Sequence, residues 1–244
     1  IQFINNEVKE YEFEIKWGEQ TSTDDQEGKI IGRSYNLPNY KEIDLKLREL
    51  KGTILQTPPK ASAVKINGVR AYKLFRSNKE FEIKKKFVHI YDSRIINSEN
   101  INLTKIQIRC GKGCYIRSFA RDLADLLDTK GHVFSLKRTK VGKFSLENSI
   151  LLDDLLKIGQ RQIGFREIHS SISMLDDILA YEIDDKSLVK EISLGKSVKI
   201  DPDLFSQDAL NLNEKTIIFL THKDNVLSFG KFKGNLFKPE KVLI

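Results

Sequence analysis

Residues 102–127, NLTKIQIRCGKGCYIRSFARDLADLL, change period part-way along. Ile106, Ile108 and Cys110 alternate with polar residues, as on a strand with one buried face, until Gly111-Lys112-Gly113 interrupts the run. Beyond the glycines, Ile116, Ala120, Leu123 and Leu127 recur at i, i+4, i+7 and i+11, the apolar stripe of an amphipathic helix. A strand therefore runs through a tight turn straight into a helix, and the join delivers Tyr115 and Arg117 at the helix start. Arg117 there can bind a phosphate, or hold a carboxylate through a forked pair of hydrogen bonds, and Tyr115 offers a ring face to a nucleobase. The same pattern also suits a plain helix cap, with Arg117 in solvent and Tyr115 in the core.

On the N-terminal side, residues 11–17 place Tyr11, Phe13, Ile15 and Trp17 opposite Glu12, Glu14 and Lys16, the period of a half-buried strand. The polar stretch from Gly18 to Gly28 leads to a second short strand, Lys29 to Arg33, and the two strands read as a hairpin. A helix follows on Ile43, Leu47 and Leu50, with Asn39 as N-cap and Gly52 as C-terminal stop. Residues 54–76 pass through Pro58-Pro59 and an Asn67-Gly68 turn into a short basic helix with Arg70, Tyr72, Lys73 and Arg76. This thumb-like stretch interleaves cations with one tyrosine. It suits a grip on a phosphate backbone, and equally an exposed loop and helix with solvated charges.

Strands are predicted at about 81–96 and 102–110. After Gly131 comes a basic strand, HVFSLKRTKVGKF, and then a short helix near 150–157. The main domain is expected to end around 170. A smaller β-rich module, 171–244, carries a helix with Leu188 and Ile192 and strands at 215–220, 226–232 and 239–244. Lys84-Lys85-Lys86 reads as a solvated strand face, and Asp24-Asp25 as adjacent acids that complete a polar turn.

Composition narrows the class. With 41 Lys+Arg against 34 Asp+Glu the chain carries +7, which favours an anionic partner, nucleic acid first. The sequence lacks an apolar run of about 20 residues, and its first residues do not read as a signal peptide, so a soluble intracellular protein is expected. Two cysteines, Cys110 and Cys114, are too few for a disulfide framework or a four-ligand zinc site, and His89, His132, His169 and His222 are scattered. No metal, no nucleophile triad and no nucleotide-binding glycine loop is expected.

Four ordered blocks add a resemblance. QTPPKASAVKINGVRAYKLFR (56–76) and CGKGCYIRSFARDLADLL (110–127), with KEYEFEIKWGEQTSTDDQEG (9–28) and HVFSLKRTKVGKF (132–144), resemble the bacterial tRNA pseudouridine synthase B family. Lys60-Ala61 departs from that pattern, where the family often has a larger aromatic or methionine. The resemblance implies an α+β fold: a mixed, largely antiparallel pseudouridine-synthase sheet flanked by helices, plus a small PUA-like RNA-binding domain. It implies isomerisation of the T-loop uridine (uridine 55) of tRNA by a monomeric cytoplasmic enzyme, without cofactor. By position, Tyr11 resembles the tyrosine that stacks on the target base and Tyr115 the second pocket tyrosine. Arg117 resembles the arginine paired with the nucleophilic aspartate, and Leu136 the residue closing the pocket. Lys65, Arg70, Tyr72, Arg76, Arg138 and Lys143 are the candidates for lining the RNA path. The family's aspartate belongs to a G-x-L-D-P motif upstream of the tyrosine strand, and residues 1–244 contain no such motif. The expectation is therefore an enzyme sequence lacking its N-terminal portion. The alternative is a non-catalytic RNA-binding protein or tRNA-folding chaperone.

Overall fold

A computed structural model describes residues 8–97, 100, 102–159, 172, 180–200, 216–223 and 225–243. Contacts divide the chain into two compact units that meet in sequence at Ser149 and Ile150. The boundary expected near 170 falls within 160–179, where Ile172 alone is described.

The first unit runs β1 (Lys9–Trp17), β2 (Glu19–Thr21), β3 (Ile30–Arg33), α1 (Tyr40–Glu49), β4 (Gly52–Gln56), β5 (Lys65–Ile66), β6 (Val69–Arg70) and α2 (Ala71–Arg76). It continues with β7 (Lys86–Asn97), β8 (Leu103–Cys110), α3 (Ile116–Leu126), β9 (Gly131–Val141) and β10 (Phe144–Ser145). Six strands form one sheet in the order β10-β9-β1-β8-β7-β4, antiparallel at every pairing. The alternation read from the sequence decides which face is buried. Phe13, Ile15, Trp17, Ile106 and Ile108 turn inward against Phe119, Ala120 and Leu123 of α3 and Ile43 and Leu47 of α1. The opposite face carries Glu10, Glu12 and Glu14, flanked by Arg109, Gln107 and Lys105 on β8 and Lys140, Lys137 and Ser135 on β9. Opposite charges across strands hold that solvated face without apolar cover. Trp17 satisfies its buried indole N–H on Thr104 Oγ1 at 2.9 Å.

Two expectations are corrected. The strand at Ile30–Arg33 pairs with Glu19–Thr21 as a separate two-stranded sheet and not with β1, because β8 and β9 occupy both edges of β1. The strand predicted from residue 81 begins only at Lys86. Elsewhere the turn chemistry holds. Asn39 and Glu42 form a capping box on α1. Asn67 (φ 47°) and Gly68 (φ 84°) make the two-residue β5–β6 turn, which needs positive φ at both positions.

The second unit contains α4 (Leu152–Gly159), β11 (Ala180–Glu182), α5 (Lys186–Ser193), β12 (Val198–Lys199), β13 (Ile218–His222), β14 (Asn225–Lys233) and β15 (Leu236–Val242). Its sheet order is β11-β13-β14-β15-β12, and the β11–β13 pairing is parallel, so the mixed character of the fold lies in this sheet. A separate core of Ile183, Ile192, Ile218, Leu220, Leu227, Phe232 and Phe237 supports it. The β-rich reading holds for the described residues, although β11 and β12 are too short to show a period in the sequence. No helix among the described residues is long and apolar enough to cross a membrane.

Gly230 on β14 has no room for a side chain: a Cβ there would lie 2.3 Å from the Lys238 carbonyl oxygen and 2.5 Å from the buried Phe237 ring. Gly230→Ala should therefore destabilise the second unit by about 1–3 kcal/mol, the usual cost of overpacking. Urea unfolding would register this as a lower midpoint, and an unchanged midpoint would mean that β14 and β15 separate without cost.

Candidate active site

The turn at Gly111–Gly113 (Gly113 at φ 81°) carries the chain from β8 into α3, and the first turns of α3 are clamped onto the segment after β4. The Tyr115 N–H donates to Gln56 Oε1 at 2.8 Å, and Ser118 Oγ donates to the Thr57 carbonyl at 2.7 Å. Arg117 and Arg121, one helical turn apart, complete the clamp. Arg121 gives Nη2 to the Thr57 carbonyl (2.8 Å) and Nη1 to Asp24 Oδ2 (2.8 Å). Arg117 gives Nη2 to the Ala61 carbonyl (3.0 Å), and Nη1 to both Asp25 Oδ2 (2.9 Å) and the Thr23 carbonyl (3.2 Å).

The acidic partners are brought up by a break in the sheet. In the β1–β9 register Glu14 faces Ser135 and Ile15 faces Val133, so Phe134 is the extra residue of a bulge. Val133 then pairs with the turn after β2: its N–H donates to the Asp24 carbonyl, and its carbonyl accepts from the Gln26 N–H. Asp25 is fixed there. Its Oδ1 accepts from Thr23 Oγ1 (2.5 Å) and the Glu27 N–H (3.1 Å), while Oδ2 faces Arg117. Both oxygens of Asp25 are thus engaged in holding the turn and the arginine. Asp24, at φ 61° and 8% exposed, is the more deeply placed of the two acids.

A cavity of about 690 Å³ opens over this cluster. Arg117 and Asp25 lie at its floor, Tyr115, Tyr72 and Phe75 supply ring surfaces, and Val133, Phe134 and Leu136 of β9 form an apolar wall. Arg76, whose guanidinium stands over the Tyr72 ring at 5.6 Å, completes its cationic edge. Asp24 and Arg121 face a second cavity of about 660 Å³ beside Phe75, Phe81 and Ile83.

Of the residues singled out by sequence, the first cavity gathers Tyr115, Arg117, Leu136, Tyr72 and Arg76. Tyr11 does not line it. It is half-buried on the same sheet face, opposite Ile108 and Arg138, and burial, reinforced by Cys110, raises its phenol above the ordinary value against the pull of Arg138. The neighbouring thiols interact with each other. Their mutual interaction, with burial, pushes the Cys114 thiol far up, and the same interaction lowers that of Cys110. Lys65 and Arg70 face each other across the β5–β6 hairpin, with the Arg70 guanidinium on the Ala63 carbonyl at 2.7 Å, and Lys143 lies in the β9–β10 turn. Asp24 and Asp25 do more than complete a turn, which is all that their adjacency in a polar segment had suggested. The missed signal was the i, i+4 spacing of Arg117 and Arg121, which puts two guanidiniums on one helix face and calls for two carboxylates opposite.

The family description "TruB family pseudouridylate synthase (N terminal domain)" matches residues 1–116. The tRNA pseudouridine synthase B of Rickettsia bellii (strain OSU 85-389) is 35% identical over 243 residues, covering 99% of this chain and 79% of the relative. The chain belongs to the TruB family. The protein of the same name from Borreliella afzelii (strain PKo) is 40% identical to this TruB family chain over 213 residues, 86% of the chain and 68% of the relative. Among solved structures, similar folds occur in a Cbf5-Nop10-Gar1 complex (TM-score 0.67, 20% identity, 96% of this chain, 66% of that one). Another occurs in an H/ACA RNP bound to a substrate RNA containing 2'-deoxyuridine (TM-score 0.68, 16% identity, 100% of this chain, 68% of that one). These likenesses extend the α+β architecture to distant sequences.

Burial pushes the Asp24 carboxyl above the ordinary carboxylate value, outweighing the opposing pull of Arg121, and it does the same at Asp122. A carboxyl raised on folding contributes stability that is complete below the unfolded pKa, about 3.9, and is lost as pH rises through the folded value. Asp24→Asn removes that dependence. The stability advantage of the native protein over the variant should therefore be largest in acid, shrink as pH rises through the folded pKa, and then stay flat. Urea midpoints of both proteins from acid to neutral pH would test this, and an advantage that grows with pH would show that Arg121 outweighs burial.

Proposed function

We propose that this chain serves the isomerisation of a tRNA uridine to pseudouridine, with the T-loop uridine as target. The observation that carries the reading is the state of Arg117 at the cavity floor. A guanidinium has five N–H donors. Three of those of Arg117 are engaged by Asp25, Thr23 and Ala61, and the remaining two, Nε–H included, have no acceptor among the described residues. The arginine is thus held rigidly while keeping donors for one more carboxylate. The family's nucleophilic aspartate is the group that fits, since guanidinium donors both orient a carboxylate and keep it ionised.

Around that point the cavity supplies what a flipped uridine needs. Tyr115 and Tyr72 offer ring faces, Leu136 and Phe134 an apolar wall that excludes water, and Arg76 a charge for the sugar-phosphate chain. Tyr11 and Arg138 extend the same face of the sheet toward the base. The nucleophile displaces the base, breaking the bond between N1 and the ribose. The nucleophile's carboxylate takes the base's place on C1′; the base then turns within the cavity, C5 bonds to C1′ as the carboxylate leaves, the C5 proton is lost to solvent and N1 takes one up. No electron transfer is involved, so the reaction balances without a redox cofactor. Lys65 and Arg70 on the β5–β6 hairpin and Lys143 in the β9–β10 turn are assigned to the RNA path, and the second unit to a PUA-like RNA contact.

Release of tritium from tRNA labelled at uridine C5 tests the reaction, using protein that includes the family's G-x-L-D-P segment. Loss of label from the T-loop position is expected. Tight tRNA binding without release would leave a binding protein or folding chaperone in its place. In the same protein, Arg117→Lys should lower the single-turnover rate by on the order of 100-fold, because an ammonium keeps the charge but not the planar donor set that places the attacking oxygen. tRNA affinity should change little. Weakened binding with a normal chemical rate would instead make Arg117 a phosphate ligand.

A further inference from the structure

The four histidines are scattered in the sequence, but the fold of the second unit sets one of them beside two carboxylates. Glu182 ends β11 and Asp184 follows two residues later, so both side chains fall on the same side of an extended segment. β13 runs parallel beside β11, with Glu182 opposite Thr221, and this brings in His222 as the next residue. One donor atom from each of Glu182, Asp184 and His222 lies within 4.8 Å of the others.

We propose that Glu182, Asp184 and His222 form a binding site for one divalent first-row transition-metal ion, for which Zn²⁺ is the representative. Three features beyond proximity support this. First, His222 Nδ1 donates to the Ile183 carbonyl at 2.7 Å, a group outside the donor set, so in the neutral ring Nε2 is the atom free to bind an ion. A ring N–H held by a backbone carbonyl is the usual outer support of a metal-binding histidine. Secondly, Glu182 is oriented by its own outer partners, accepting from the Lys223 N–H on Oε1 (2.6 Å) and from the Thr221 hydroxyl on Oε2. Thirdly, although Lys and Arg outnumber Asp and Glu in this chain, neither Glu182 nor Asp184 has a cationic side chain within ion-pair distance among the described residues. With the imidazole bound in its neutral form, two carboxylates would supply the −2 charge that a divalent ion matches.

The ion would bond each donor at about 2.0–2.2 Å, so donors within 4.8 Å of one another close on it by small side-chain rotations, leaving a position for water. An imidazole in the set favours zinc-like ions over Mg²⁺, which prefers an all-oxygen octahedron. Such an ion would staple the short β11 to the end of β13, joining two segments about 40 residues apart in the chain.

The test is titration of the full chain with Zn²⁺ against a chromophoric chelator, and it does not depend on the enzymatic reading. One equivalent should bind. His222→Ala and Asp184→Asn should each weaken binding at least about tenfold, since they remove a ligand, while their circular dichroism matches that of the native protein. The Asp184 side chain makes no hydrogen bond or ion pair with the described residues, so its variant keeps the test clear of misfolding. Zn²⁺ should raise the thermal midpoint of the native chain and not of Asp184→Asn. Absence of saturable binding below about 1 mM Zn²⁺ overturns the proposal. So does undiminished binding by both variants, or a thiolate-to-metal charge-transfer band with Co²⁺, which would place the ion on Cys110 and Cys114.

Discussion

Two guanidiniums one helical turn apart hold the first unit's working surface together. Arg117 and Arg121 reach from the start of α3 to two carboxylates of the turn after β2 and to the carbonyls of Thr57 and Ala61, so three segments distant in sequence converge on one point. Neither pair is freely solvated: side-chain exposures are 24% and 22% for Arg117 and Asp25, and 18% and 11% for Arg121 and Asp24. At such depth an ion pair gains little over an apolar contact of similar size, yet deleting one partner leaves a buried charge uncompensated, at a cost of about 3–5 kcal/mol for a fully buried pair. The clamp is therefore better understood as a device of geometry than as a source of stability. It fixes the floor of the cavity and the base of the thumb relative to α3.

That clamp depends in turn on a defect in the sheet. The bulge at Phe134 turns Val133 toward the acidic turn, docks Asp24 and Gln26 through backbone hydrogen bonds, and leaves Phe134 and Leu136 partly exposed at the cavity wall. Other register shifts occur at Glu10/Tyr11 against β9 and between β7 and β8, whereas β1 and β8 keep plain alternation, with an apolar face under α1 and α3 and a charged ladder outside. The bulge at Phe134 lies where β9 passes from the core to the cavity wall.

The second unit repeats this economy on a smaller scale. Its core is independent of the first, built from strands β11 to β15 and helix α5. β11 is held by a parallel pairing of three residues to β13. That pairing sets Glu182 and Asp184 beside His222, three side chains whose chemistry none of them shows alone.

The strand that turns into a helix at Gly111–Gly113, the core positions of β1, β8, α1 and α3, the N-cap at Asn39, the Asn67-Gly68 turn and the four blocks that carry the family are all legible in the amino-acid order. All of these rest on local periods, on turn residues with few allowed conformations, or on contiguous motifs. The chain's global packing, in contrast, sets the pairing of Ile30–Arg33 with Glu19–Thr21, the facing of Asp24 and Asp25 to arginines more than 90 residues away, and the meeting of His222 with two carboxylates. The reason is physical: strand partners and buried ion pairs are chosen by which edges and charges remain unsatisfied once the core has formed, and that competition is global. A residue's neighbours along the chain carry its backbone preference, whereas its electrostatic partner depends on where the whole sheet brings it.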